Sequence, residues 1–147
     1  MSCYYISTGS GASAQRSDTT YGMTMTDANY GEVKARTAFV SLPYRQGALD
    51  CTATDANSKP YYERRTIIYE FLVQANSASA LNTALGQARA WFSGITTFYD
   101  SFQDATFTEV RLDGCKDEYI NMFCTAAKLT ATFTAHPYMT VTGGTRL

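Results

Sequence analysis

Two hydrophobic periods meet once in this chain, and the junction organises the rest. Over residues 61–73 (YYERRTIIYEFLV) the alternation has period two. It places Ile67, Tyr69, Phe71 and Val73 on one face of a strand and Arg64, Thr66, Ile68, Glu70 and Leu72 on the other. The second face is hardly polar beyond Thr66, which predicts a central strand covered on both sides. After Asn76-Ser77 the period becomes helical, with Leu81, Ala84, Leu85, Ala88, Trp91 and Phe92 forming one apolar stripe. Ser77 or Ser79 is placed to cap the first turn, and Gly94 to end the helix in a left-handed conformation. Gly86 inside the helix costs about 1 kcal/mol relative to alanine, which a close approach to a neighbouring strand would offset. A lone amphipathic helix among strands must pack on the sheet. The expected class is therefore mainly β, a sandwich or barrel-like sheet flanked by one helix.

The remaining pattern is short strands and turns. Residues 1–20 are expected to form an N-terminal arm, 21–139 a single β domain and 140–147 a C-terminal tail. Residues 7–20 are rich in Ser, Thr, Gly and Ala with few apolar anchors, so they read as an arm or loop. Strands are expected at 21–26, with Tyr21, Met23 and Met25 on one face, and at 37–42, ended by Pro43. Gly47 reads as a turn residue and 52–60 as a loop. Further strands are expected at 96–101, 105–112, 118–124 and 128–135, with a corner at Gln103-Asp104 and a hairpin turn at Asp113-Gly114. The last strand alternates cleanly, Leu129, Ala131, Phe133 and Ala135 inward and Lys128, Thr130, Thr132 and Thr134 outward, before Pro137 stops it. Its outer face is expected to be solvated or to meet another subunit. Glu63 and Arg65 share a direction and are placed to pair, for ~0–1 kcal/mol if exposed; with Arg64 they read as a solvated strand end.

Composition narrows the classes. Length, 147 residues, and an apolar content of 45% suit one folded domain. Eleven tyrosines and eight phenylalanines favour half-buried pleated surfaces, and tyrosine also suits protein interfaces. A formal net charge of -1 leaves no basic excess for a dedicated nucleic-acid binder. Cys3, Cys51, Cys115 and Cys124 show no C-x-x-C spacing, and with one histidine in the chain a zinc site has little to draw on. Reduced thiols in a cytosol-made protein are expected, with a disulfide left open. The first residues lack the basic and apolar regions of a secretory signal, and no apolar run is long enough to span a membrane.

Catalytic chemistry finds little support. His136, beside Pro137, has no nucleophile or orienting carboxylate near it in sequence, so a structural or surface role is expected. Asp100, Asp104, Asp113, Asp117 and Glu118 scatter around predicted turns, where carboxylates usually make local backbone bonds. Phosphate-loop, nucleophile-elbow and dinucleotide fingerprints are missing from the sequence. No catalytic, cofactor-binding or metal residue is assigned, and the chain is not expected to be an enzyme.

The order of elements carries a resemblance. It consists of the Tyr21-Gly22-Met23 strand, a segment from Arg36 to Leu49-Asp50 containing Pro43-Tyr44-Arg45-Gln46-Gly47, and the long aromatic-basic strand. The helix ending Ala90-Trp91-Phe92, a Tyr99-Asp100 strand and the closing Phe133-Thr134-Ala135-His136-Pro137-Tyr138 complete it. Together these resemble the N-terminal domain of distal tail proteins of long-tailed, non-contractile bacteriophages, over residues 20–139. The pattern departs at Tyr44, where a glycine is common, and at His136, where an acidic residue is common. The resemblance implies a fold related to tail-tube proteins, in a minimal version without the carbohydrate-module-like second domain of many relatives. It implies a structural virion protein, assembled in the host cytoplasm: a homohexameric ring joining the tail tube protein to tail tip or baseplate hub proteins. DNA would pass through the ring without specific binding, which a near-neutral chain suits, and no cofactor is implied. A tail-tube or tail-terminator subunit is the alternative within this class. A carbohydrate-binding β-sandwich, using exposed Tyr and Trp, is the alternative outside it.

Overall fold

The alternating run becomes β6 (Arg65–Gln74), which pairs antiparallel along its full length with β10 (Ala126–Ala135), Arg65 opposite Ala135 and Gln74 opposite Ala126. Both strands share period two, so one register places both apolar sets on the same face. The computed structural model describes residues 4–9, 13–41, 48–50, 54, 61–123 and 125–147. Outer strands β3 (Thr24–Asn29) and β9 (Arg111–Tyr119) complete a four-stranded sheet in the order β3-β6-β10-β9. Its inner face carries Ile67, Tyr69, Phe71, Leu129, Ala131, Phe133 and Ala135, all at 0% exposure.

Two elements cover that face. At one end lies α1 (Ala78–Ser93), whose buried residues Leu81, Leu85, Ala88, Trp91 and Phe92 are the expected stripe, with Ala84 at its half-buried edge. Phe92 stacks on Phe71 with centroids 5.6 Å apart and meets Phe133 edge-on at 5.6 Å. Ser77 is the cap, its hydroxyl oxygen accepting the Ala80 N–H at 3.2 Å. The helix end and interior differ from expectation at two glycines. Gly94 is right-handed, at φ -95°, its N–H donating to the Trp91 carbonyl at 3.1 Å. Around Gly86 there is open space, so no close approach offsets its cost.

At the other end the inner face meets a second sheet. It is built from β1 (Ile6–Thr8), β2 (Gln15–Arg16), β7 (Phe98–Asp100), β8 (Ala105–Phe107), β11 (Met139–Val141) and β12 (Gly144–Arg146). Their order is β12-β11-β8-β7-β1-β2. Phe98 brings its ring within 5.8 Å of Tyr69 and 5.5 Å of Phe133 across the interior. The result, among the described residues, is a β-sandwich with a single helix. A separate hairpin pairs β4 (Phe39–Ser41) with β5 (Ala48–Asp50); the expected roles of Pro43 and Gly47 lie outside the described residues, as does the 52–60 loop apart from Thr54.

Several sequence expectations are corrected. Residues expected as an arm or loop supply β1 and β2, and residues expected as a tail supply most of β11 and β12. Hydrogen bonding, invisible to a hydrophobic pattern, holds the first of these. Buried Ser17 accepts the Ile6 N–H through its hydroxyl at 3.2 Å and donates its own N–H to the Ile6 carbonyl at 2.9 Å. The long strand starts at Arg65 rather than Tyr61, because residues 34–36 and 61–63 pair separately, with Arg36 N–H to Tyr61 O at 2.6 Å and Glu63 N–H to Lys34 O at 2.7 Å. Its second face is only partly covered: Thr66 is exposed, and Ile68, Glu70 and Leu72 are half-buried beside the outward threonines of β10. Arg65 belongs to the inner face by parity with Ile67. It is 5% exposed, its Nε has no partner among the described residues, and no Glu63 pair forms. Burial and neighbouring Arg146 lower its pKa.

Asp113-Gly114 is not a turn. Leu112 stands opposite Phe133 and Gly114 opposite Thr132, so Asp113 is the extra residue of a bulge inside β9. The strand expected over 118–124 ends at Tyr119, and residues 120–123 turn away from it instead. The strand expected at 21–26 is displaced to β3, though Met23 is buried and Tyr21 and Met25 pack against the core as expected.

Candidate assembly surface

The most chemically loaded interior group is Asp100, which is fully buried. One carboxylate oxygen accepts the Tyr30 hydroxyl at 2.6 Å and also the Tyr69 hydroxyl. The other accepts the backbone N–H groups of Phe102 at 2.8 Å and Gln103 at 3.2 Å. The second pair is the local turn bond expected of a carboxylate here; the first ties β7 to the four-stranded sheet. Burial first, with the adjacent carboxylate added, raises the pKa of both tyrosines. Four donors converge on Asp100, which ties the two sheets together.

Asp113, Asp117 and Asp104 are also engaged. Asp113 accepts from Thr134 and Arg111, and the Thr134 hydroxyl bond is the main cause of its lowered pKa. Asp117 pairs with Arg89 and so joins β9 to the helix; its second oxygen is buried without a partner among the described residues. Asp104 accepts the Tyr99 hydroxyl, which pushes that tyrosine up to about 12. Glu118 is exposed on β9. Cys115 is a free thiol whose burial, with Asp117 nearby, pushes it up to about 11; it is not an activated nucleophile. Cys3, Cys51 and Cys124 lie outside the described residues.

His136 lines a cleft of about 500 Å³ with Arg36, Arg64, Glu109 and three tyrosines, Tyr61, Tyr62 and Tyr138. The fold thus brings His136 to the same cleft as a carboxylate, which sequence distance had hidden. Glu109 is held by Arg64 at 3.4 Å, and His136 Nδ1 accepts the Tyr138 N–H at 3.1 Å. Among the described lining residues there is no serine, threonine or cysteine. Among the described residues no three His, Cys, Asp or Glu side chains gather to hold a metal ion, and no helix is long and apolar enough to cross a membrane. Trp91 is engaged in the core: its indole N–H donates to Thr8 Oγ1 at 3.0 Å and its ring stacks on Tyr21 at 4.6 Å.

The surface carries a different signal. At the β9–β10 turn Tyr119 is 47% exposed, Ile120 58%, Met122 96% and Phe123 82%, forming an uncharged apolar tip. Asn121 shapes it, accepting the Thr125 N–H at 3.0 Å and donating through its side-chain amide to Thr125 Oγ1 at 2.8 Å. That clamp turns Met122 and Phe123 outward at the apex. At the opposite edge of the sheet, Tyr4, Met25, Ala28, Tyr30 and Phe102 line a mostly apolar groove of about 260 Å³ with Asp27 beside them. A sequence reading assigns Ile120, Met122 and Phe123 to a strand; the last cross-strand bond, from the Ile120 N–H to the Ala126 carbonyl at 3.0 Å, leaves Met122 and Phe123 beyond it and exposed. The chain matches no protein-family model, and no curated protein matches it in sequence.

Proposed function

We propose that this chain is a structural subunit of a phage tail: a distal tail hub, assembled in the host cytoplasm, whose homohexameric ring joins the tail tube to the tail tip or baseplate. DNA passes through the ring, and the role needs no catalytic residue. The observation that carries the reading is the exposed apolar tip on a fully packed sandwich. A contiguous apolar projection on a folded domain marks a protein contact rather than a small-molecule site, and Asn121 holds it in place. The order of strands and helix in the sequence supplies the rest of the support.

Light scattering and native mass measurement of the purified chain, with an image of the assembled particle down its axis, test the reading. A ring of six copies at one level of the tail is expected. A stable monomer at high concentration, with no ring in the particle, would overturn it. Many stacked rings would favour the tail-tube reading, and a ring at the head-proximal end the terminator reading. The cleft with Tyr61, Tyr62 and Tyr138 favours the carbohydrate reading; glycan binding lost in Tyr61→Ala would support it over the hub.

A further inference from the structure

We propose that the β9–β10 tip of one copy seats in the β3-edge groove of the next, a head-to-tail contact between identical chains. The inference rests on the ring reading and names the surfaces that would build the ring. Tip and groove match in kind, an uncharged apolar projection and an apolar recess with a single carboxylate, Asp27. They also match in size. An apolar cavity of about 150 Å³ holds one benzene, so a groove of about 260 Å³ accommodates the Phe123 ring with part of Met122.

Position decides the occupant. The order β3-β6-β10-β9 puts groove and tip at opposite edges of one sheet, about 14 Å apart at three strand spacings. A tip therefore reaches a different copy's groove, and a contact between unlike patches closes into a ring or runs on as a filament. Direct strand-to-strand pairing is disfavoured at these edges, because β3 is bulged between Met25 and Asp27 and β9 at Asp113. Side-chain docking is left as the open route.

Area sets the expected behaviour. The four exposed tip side chains present on the order of 500 Å², below the ~800 Å² per partner of a standard interface. A copy that uses both its tip and its groove passes that figure. A single pair is therefore weak, while a closed ring, in which every copy makes two contacts, is stable.

The test compares the wild type with a tip variant, Met122→Asp with Phe123→Asp, and a groove variant, Phe102→Asp. All three positions are exposed, and thermal melting verifies that each variant folds. Sedimentation across a concentration series reads assembly. In parallel, a photo-crosslinking phenylalanine analogue at position 123, in mixed light and heavy isotope preparations, reports which peptide of another copy it touches. The wild type is expected to assemble and both variants to lose affinity by on the order of 100-fold. The crosslink is expected between copies, on peptides carrying Met25 to Tyr30 or Phe102. Undiminished assembly of the tip variant, or a crosslink elsewhere, would overturn the proposal and leave the ring reading standing. A wild type that stays monomeric throughout, with no crosslink between copies, would overturn both.

Discussion

Replacing Asp100 with alanine removes the acceptor for four donors at once. Two are tyrosine hydroxyls and two are backbone N–H groups of the turn that follows β7. The Tyr69 hydroxyl belongs to a side chain with no exposure and has no water to turn to, whereas Tyr30 is half-buried and the turn lies near solvent. An orphaned buried donor costs about 1–3 kcal/mol. Counting Tyr69 in full and the others in part gives a loss of ~3–5 kcal/mol, the range found when one partner of a buried charged network is removed. Asp100→Asn is expected to cost less, about 1–2 kcal/mol, because one oxygen still serves the turn and a rotated hydroxyl can accept from the new amide. Urea unfolding followed by the fluorescence of the single tryptophan, Trp91, measures both. For a chain of this length the alanine variant should melt roughly 10 °C lower. A double-mutant cycle of Asp100→Asn with Tyr69→Phe should show a coupling of at least about 1 kcal/mol. An Asp100→Ala variant within about 1 kcal/mol of wild type would refute the tie between sheets.

Three further outcomes follow from the same structure. The raised pKa of Tyr30 and Tyr69 means that their contribution is complete below the ordinary tyrosine value near 10 and is lost as pH rises above it. Between about pH 9.5 and 11 the wild type should therefore lose ~1 kcal/mol more stability than Tyr69→Phe, and parallel stability curves would contradict this. Gly86→Ala should stabilise by roughly 0.5–1 kcal/mol, since an added Cβ meets nothing within 4 Å; a lower urea midpoint would mean that this space is not open. Trp91→Ala should cost ~3–5 kcal/mol through loss of the contacts with Tyr21 and Phe92, and an unchanged melting temperature would place the ring outside the core.

The elements with an undivided period were legible in advance. The inner set of β6 and β10, the helix stripe, the Ser77 cap and the mainly β class all depend on local repetition of apolar residues and on one free backbone donor. Parity even contained the placement of Arg65, two residues before Ile67, although a charge there reads more naturally as a solvated end. Short strands were harder. The segment around Ile6 and Ser17 is held by specific hydrogen bonds across 11 residues, and such bonds leave no hydrophobic signature.

By itself, then, the sequence determined which faces are apolar, where α1 lies and which fold class can bury it, because those follow from side-chain spacing along a single segment. Tertiary structure decided what those faces meet. It left the second face of β6 only partly covered, converted Asp113-Gly114 from a turn to a bulge and drew Asp100 between two tyrosines. It also ended β9 early enough to put Met122 and Phe123 in solvent. Each of these depends on register with a strand distant in sequence, and register is a property of the pair rather than of either strand alone.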